Sequence, residues 1–290
     1  MTEDERKKEQ AGPIDPAFLR RWIGREQQVE DVITPRVVDG LRATLGSEMT
    51  SLERLPASLH WCLAPETVPQ SDLGADGHAA RGDFLPPVPL PRRMWASSDV
   101  EFLSDFALSD TVARRSRIDD VELKNGRSGQ LIFVTVRHDW FTPRGAALRE
   151  LQKIVYRAAG APAASPPPRG NDAPLPDHQQ TIVASEPLLF RYSSLTFNAH
   201  RIHYDRRYAT EVEGYSGLLV HGPLQASMLL EFAAALRGGE RPRRFAFRAV
   251  GPLFDGEAFT VNARKSSGRF DLWCANAGGG VTMQATAEWP

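Results

Sequence analysis

Cysteine is scarce: Cys62 and Cys274 are the two in a chain of 290 residues. They lie far apart and neither sits in a C-x-x-C spacing, which excludes a disulfide framework and a cysteine-built metal site. A reducing compartment is the expected setting. Charge of one sign is lacking too. Lys and Arg number 35 against 36 Asp and Glu, a formal net charge of -1. A polyanion-binding surface is therefore not the expected purpose, and no nucleic-acid partner is expected. Long apolar runs are missing as well. No stretch approaches the roughly 20 apolar residues that span a bilayer, so no membrane partner is expected. The opening MTEDERKKEQ mixes acids with bases and has no apolar run, unlike a secretory or transit leader. The expected location is cytoplasmic.

What is present is the composition of a chain that buries a substantial core, with 41% hydrophobic and 24% charged residues. The clearest break is AAGAPAASPPPRGNDAPLPDHQQ, which starts at residue 158. Rich in Pro, Ala and polar residues without apolar periodicity, it reads as a linker over 158–181. It separates an N-terminal part, 14–157, from a C-terminal part, 182–290, each the size of one domain.

The C-terminal part has a simple grammar. HGPLQASMLLEFAAALRGG places Leu224, Met228, Leu229, Phe232, Ala235 and Leu236 at helical spacing, apolar on most faces. That predicts a buried helix, with Pro223 in its first turn and Gly238 ending it. Alternating runs follow: RRFAFRAV, AFTVNARKS, RFDLWCANA and VTMQATAEW, separated by Gly-containing turns. They predict an antiparallel meander wrapping that helix. The N-terminal part repeats the pattern. TPRVVDGLRATLG reads as a helix; MWASSDVEFL, VARRSRIDDVELKNG and GQLIFVTVRHDWF read as strands, with a hairpin tip at KNGRSG. Helix then antiparallel sheet, twice over, predicts an α+β fold with an internal duplication. Between the N-terminal helix and its strands, GDFLPPVPLPRRMW is barred from helix by its prolines. It is either a rigid surface crossing or a cleft wall presenting Phe84, Arg92, Arg93 or Trp95.

Chemistry concentrates in TFNAHRIHYD, residues 196–205. His203 titrates near neutrality in the free state, so it can take or give a proton. Asp205 could orient a histidine ring, and Asn198 has an acceptor and two donors with which to hold a water. A base beside a water-holding amide is what water addition needs. His200 reads as a supporting hydrogen-bonder. Downstream, GLLVHGPL enters the helix at Gly222. First-turn amides are unpaired at the positive end of the helix dipole, so the N–H of Gly222 or Leu224 can meet a developing oxyanion. His221 reads as a residue that caps or packs near the helix start. Arg191, Arg201, Arg206 and Arg207 surround the motif, either as a solvated face or as cations for phosphate or carboxylate. His200, His203 and Asp205 lie too close together to surround an ion without a further distant ligand, so no metal is expected.

The block TFNAHRIHYD with VHGPLQASML downstream resembles the signature of the MaoC-like (R)-specific enoyl-CoA hydratases and type 2 3-hydroxyacyl-thioester dehydratases. That signature is D-x-N-P-x-H-x-D followed by H-G at the start of a long helix. The resemblance implies a double hotdog: two antiparallel sheets, each wrapping a central helix, the N-terminal one non-catalytic and shaping the acyl cleft. GDFLPPVPLPRRMW resembles the group of mesaconyl-C4-CoA (3-methylfumaryl-CoA) hydratases within that family. By position, the resemblance makes His203 catalytic, with Asp205 and Gly222 beside it, and sets Asn198 where the family has its aspartate. It implies an enoyl-thioester hydro-lyase acting on an acyl-CoA, most simply a branched dicarboxylyl-CoA. Arg201, Arg92, Arg93, His200, Trp95 and Leu224 are the expected substrate contacts. An itaconyl-CoA-type hydratase or a hydroxyacyl-ACP dehydratase stays open, and so does a non-catalytic thioester-binding module. No cofactor is expected, coenzyme A being part of the substrate. The chain either stands alone as a pseudo-dimer or pairs into a homodimer.

Overall fold

Ten strands form one antiparallel sheet in the computed structural model, which describes residues 14–126, 129–158 and 174–290. The strands are β1 (Glu26–Val32), β2 (Arg92–Phe102), β3 (Thr111–Gly126), β4 (Gly129–Thr142) and β5 (Gly145–Arg157), then β6 (His178–Val183), β7 (Arg244–Ala249), β8 (Ala258–Ser266), β9 (Arg269–Ala275) and β10 (Val281–Glu288). Their order is β1-β3-β4-β5-β2-β7-β10-β9-β8-β6. From each outer edge inward the two halves have the same order, so the internal duplication read from the sequence is present in the topology. The halves meet where β2 pairs with β7, Ser97 opposite Arg248 through Glu101 opposite Arg244.

Each half places a helix after its edge strand. Helix α1 (Pro35–Leu45) starts at Thr34, whose Oγ accepts from the Val37 N–H, and buries Val37, Val38, Leu41 and Leu45. Helix α2 (Glu186–Thr196) is its counterpart, capped by the Ser185 Oγ. Such caps satisfy backbone donors that a helix leaves unpaired and are worth about 1 kcal/mol each. Helix α3 (Gly222–Ala235) is the buried helix that the apolar run predicts. Every residue from Leu224 to Ala234 is buried, and it packs against β8, β9 and β10. Its Glu231 accepts from Ser58 N–H and Oγ, both at 2.7 Å, which ties α3 to the N-terminal half.

The structure corrects three expectations. The N-terminal half has no counterpart of α3 among the described residues: TPRVVDGLRATLG is α1, the equivalent of α2. In place of a central helix, residues 46–91 make only short 3-10 turns, Leu59–Cys62 and Gln70–Asp72, because repeated prolines interrupt any longer helix. The C-terminal strands are not a simple meander, since β7 lies beside β10 rather than β8. The segment read as linker, 158–181, runs into β6, where His178–Thr181 pair with β8. Those residues alternate outward and inward against a ready edge, which a compositional reading misses. Residues 159–173 of that segment, and Arg127 and Ser128 of the hairpin tip, lie outside the described residues.

Without a helix to cover it, the inner face of β3–β5 opens into a cleft of about 1070 Å³ that reaches the TFNAHRIHYD block. That face alternates as a half-buried strand should. Arg114 on β3, His138 and Trp140 on β4, and Glu150 and Gln152 on β5 all line the cleft.

Candidate active site

The chain delivers His203 to the cleft by an abrupt turn. Helix α2 ends at Phe197, which adopts the left-handed conformation (φ 51°), and a 3-10 turn over Arg201–His203 follows. His203 Nδ1 lies 2.8 Å from the Leu219 carbonyl oxygen. A carbonyl only accepts, so Nδ1 carries the proton and Nε2 keeps its lone pair. The ring is buried, and burial lowers its pKa to about 4 despite the Leu219 hydrogen bond. At neutral pH it is an unprotonated base. His221 lies almost parallel to it, centroids 3.7 Å apart at 19°, with Nε2 2.8 Å from Ser193 Oγ. Burial, and the neighbouring His203 and His200, push His221 well below the usual imidazole range. The packing role expected of His221 is thus a stack that fixes the His203 plane.

Asn198 lines the same cleft. Its Oδ1 accepts from the His200 N–H at 2.9 Å, so its amide nitrogen is the group left to donate to a water. His200 also lines the cleft, edge-on to His203 with centroids 5.3 Å apart. Gly222 opens α3 on the cleft wall, and a Cβ there would sit 3.9 Å from the Trp95 carbonyl oxygen and from Met283. First-turn N–H groups have no intrahelical acceptor, so the Gly222 region presents a donor beside Trp95, itself a cleft residue.

Other sequence candidates lie elsewhere. Asp205 does not orient a histidine. Its Oδ2 accepts from Arg201 Nη2 at 2.7 Å and its Oδ1 from the Tyr208 N–H at 3.0 Å, so it caps the following turn. Arg201 is held by that pair, donates to the Ala75 carbonyl and lies over the Tyr208 ring, away from the cleft lining. Arg92 is engaged by Glu213, with Nε 3.1 Å from Oε2 and Nη2 donating to the carbonyl at 2.7 Å. Leu224 points into the core, fully buried. Period and spacing fix none of these directions; Asp205 is turned by near neighbours, whereas Arg92 and Arg201 are anchored by Glu213 and Ala75, both distant in sequence. Among the three arginines expected to contact substrate, Arg93 alone lines the cleft, beside Tyr156, with no ion pair among the described residues.

Sequence reasoning missed several cleft residues: Trp61, His78, Arg114, His138, Glu150 and Tyr215. Glu150 is fully buried, which raises its pKa to about 7 against the hydrogen bonds from Ser98 and Trp61. The available signal was the inward alternation of polar residues on β3–β5, where a plain core strand would be apolar. Asp76, His78 and His200 bring donor atoms within 4.8 Å of one another. The His78 and His200 rings lie tilted at 38° with their centroids 3.9 Å apart. His78 Nδ1 also faces the Asp76 carboxylate at 2.9 Å.

Gly222 at the α3 start, His203 and Asn198 thus line one cleft. The family described as hydroxyacyl-thioester dehydratase type 2 matches residues 58–255, which contain this whole arrangement. The chain belongs to that family. It is 42% identical over 274 residues to a mesaconyl-C(4)-CoA hydratase of Chloroflexus aurantiacus, covering 92% of this chain and 96% of the relative. Among solved structures, a MaoC-like dehydratase of Phytophthora capsici superposes with a TM-score of 0.66 at 15% identity, over 96% of this chain and 99% of that one. A Mycobacterium tuberculosis protein described as a double hotdog fold superposes with a TM-score of 0.55 at 13% identity, over 92% and 96%. The fold is a double hotdog, with the central helix retained in the second half of this family member. No helix among the described residues is long and apolar enough to cross a membrane.

Proposed function

We propose that the protein is a hydro-lyase that adds water reversibly across the double bond of an enoyl-CoA thioester. The substrate is a short branched dicarboxylyl-CoA of the mesaconyl-C4-CoA type. One observation carries the reading: a neutral His203 with its Nε2 lone pair free lines the same cleft as the start of α3. The named relative supports the substrate class, and so does Arg93, a cation in the cleft that forms no ion pair among the described residues.

The reaction follows from these groups. The thioester oxygen accepts from the Gly222 region, which draws electron density from the β-carbon. The Asn198 amide donates to a water oxygen while His203 Nε2 takes one of that water's protons. The O–H bond breaks, the oxygen bonds the β-carbon, and the alkene electron pair moves toward the thioester oxygen. His203 then returns its proton to the α-carbon as the carbonyl re-forms. Dehydration is the same path reversed.

The cleft volume of about 1070 Å³ favours a second reading. It stands at the upper end of small-molecule sites, about 300–1,000 Å³, and would take a longer hydroxyacyl chain on CoA or acyl carrier protein. Loss of enoyl-thioester absorbance, followed over a panel of mono- and dicarboxylic substrates on both carriers, tests both. Catalytic loss, fastest on the diacid, supports the first reading. Fastest turnover of long chains selects the second, and a stoichiometric shift alone means a binding module. Arg93→Leu should lower kcat/KM for the diacid thioester by about tenfold to a hundredfold more than for crotonyl-CoA, since a hydrogen bond to a charged group is worth about 1.5–3 kcal/mol. Equal losses on both would remove Arg93 as the carboxylate receptor.

A further inference from the structure

The catalytic block of the C-terminal half does not stand alone. A loop of the N-terminal half, closed by a bridge between Leu73 and Ala79, docks onto it. The Arg201 N–H donates to the Asp76 carbonyl at 2.9 Å, and Arg201 Nη1 to the Ala75 carbonyl at 3.0 Å. Gly77 passes so close that a Cβ there would lie 1.9 Å from the Ala199 oxygen. The docked loop brings in His78, whose ring lies tilted against His200 with centroids 3.9 Å apart. His200 meets His203 at 5.3 Å, and His203 meets His221 at 3.7 Å. Four of the chain's seven histidines thus form one row. Asp76 closes it. Its Oδ2 lies 2.9 Å from His78 Nδ1, and its Oδ1 accepts from the His78 N–H at 3.0 Å.

Water addition puts a positive charge on His203 while the enolate exists. A desolvated row of neutral rings resists that charge unless an anion faces it. Asn198 is neutral, and Asp205 is turned to Arg201 and Tyr208. Asp76 is the carboxylate at the row. Burial alone would raise its pKa, but the hydrogen bonds from the His78 ring and backbone hold it below the usual carboxylate range.

We propose that Asp76 and His78 are positioning residues of the active site, clamping the His200 ring against His203 and supplying the fixed negative charge that the catalytic block lacks. The inference rests on the hydration reading of the same site. No proton leaves the pair: the one taken from water stays on His203 until it reaches the α-carbon.

The test uses the full chain and the best enoyl-CoA substrate of the panel. Asp76→Asn should lower kcat at least tenfold with KM changed less than twofold, and Asp76→Glu should recover part of that loss. His78→Phe keeps a stacking ring but removes the bond to Asp76, and should lose kcat to a similar extent. It also serves if Asp76→Asn does not fold. Wild-type kcat in either variant overturns the inference, as does a loss that Asp76→Glu does not relieve. Abolition of wild-type activity by a chelator, restored by zinc, overturns it in favour of a metal on Asp76, His78 and His200. A wild-type protein inert on the whole panel sinks the hydration reading and this inference together, whereas an active wild type with an indifferent Asp76→Asn sinks the inference alone.

Discussion

Replacing Gly77 with alanine probes the docking of the 73–79 loop. Gly77 has φ +87°, a left-handed conformation that costs a side-chain-bearing residue about 1–2 kcal/mol. The new Cβ would also lie 1.9 Å from the Ala199 oxygen and 2.8 Å from its carbonyl carbon. These are backbone atoms and cannot rotate aside, so the loop must lift. Lifting breaks the bond from the Arg201 N–H to the Asp76 carbonyl, a loss of about 1 kcal/mol. The total of about 2–3 kcal/mol against docking corresponds to roughly 30- to 150-fold in the docked population. The sheet does not depend on this loop, so the loss should be local. Hydration rates by enoyl absorbance, with a thermal melt in parallel, read the two effects separately. The expected result is a kcat down tenfold or more with a Tm lowered by only a few degrees. Gly268→Ala is the control: its φ is +73° and nothing lies within 4 Å of the added Cβ, so it should leave kcat unchanged. Wild-type kcat in Gly77→Ala would refute the docking argument.

His203→Ala should reduce kcat by about 10²- to 10⁴-fold, the range for loss of a general base, with Asn198→Ala reduced clearly less. Equal losses would remove the division between base and water holder. The working form of His203 is unprotonated and its pKa is held at about 4, so kcat/KM should stay level from neutral pH down to about 5 and fall as acid protonates the ring. A limb centred near 6.5, about the value of a solvated imidazole, would contradict the burial of that ring.

The parts of this fold that were legible are those where a period matches a burial pattern. Helix α3 is apolar on most faces because it is covered on most faces. Strand β4 alternates because one face is packed. Strand β6 was hidden because HQQTIV is short and polar at its start, and forms only against the edge of β8. The missing central helix of the first half had a signal in the pattern: TPRVVDGLRATLG is apolar on one face, burying Val37, Val38, Leu41 and Leu45, whereas the central helix α3 is buried all round. At the site, His203, Asn198 and Gly222 were legible because one short block and one helix start contain them. Asp76 and His78 were not: they lie more than a hundred residues upstream, and only the docked loop brings them to the block. The arginines show the converse. Arg92 and Arg201 had the right chemistry, but Glu213 and Asp205 turn them away from the cleft.

The pairing of β2 with β7 has a consequence for any attempt to shorten the protein. A fragment beginning at residue 174 would still contain TFNAHRIHYD and the α3 start. It would also leave the inner edge of β7 bare, an invitation to aggregation, and strand Glu231 in the core without Ser58. The break in composition between the halves is thus no place to cut. Sheet and core both run across the seam, so the two repeats survive or fail as one object.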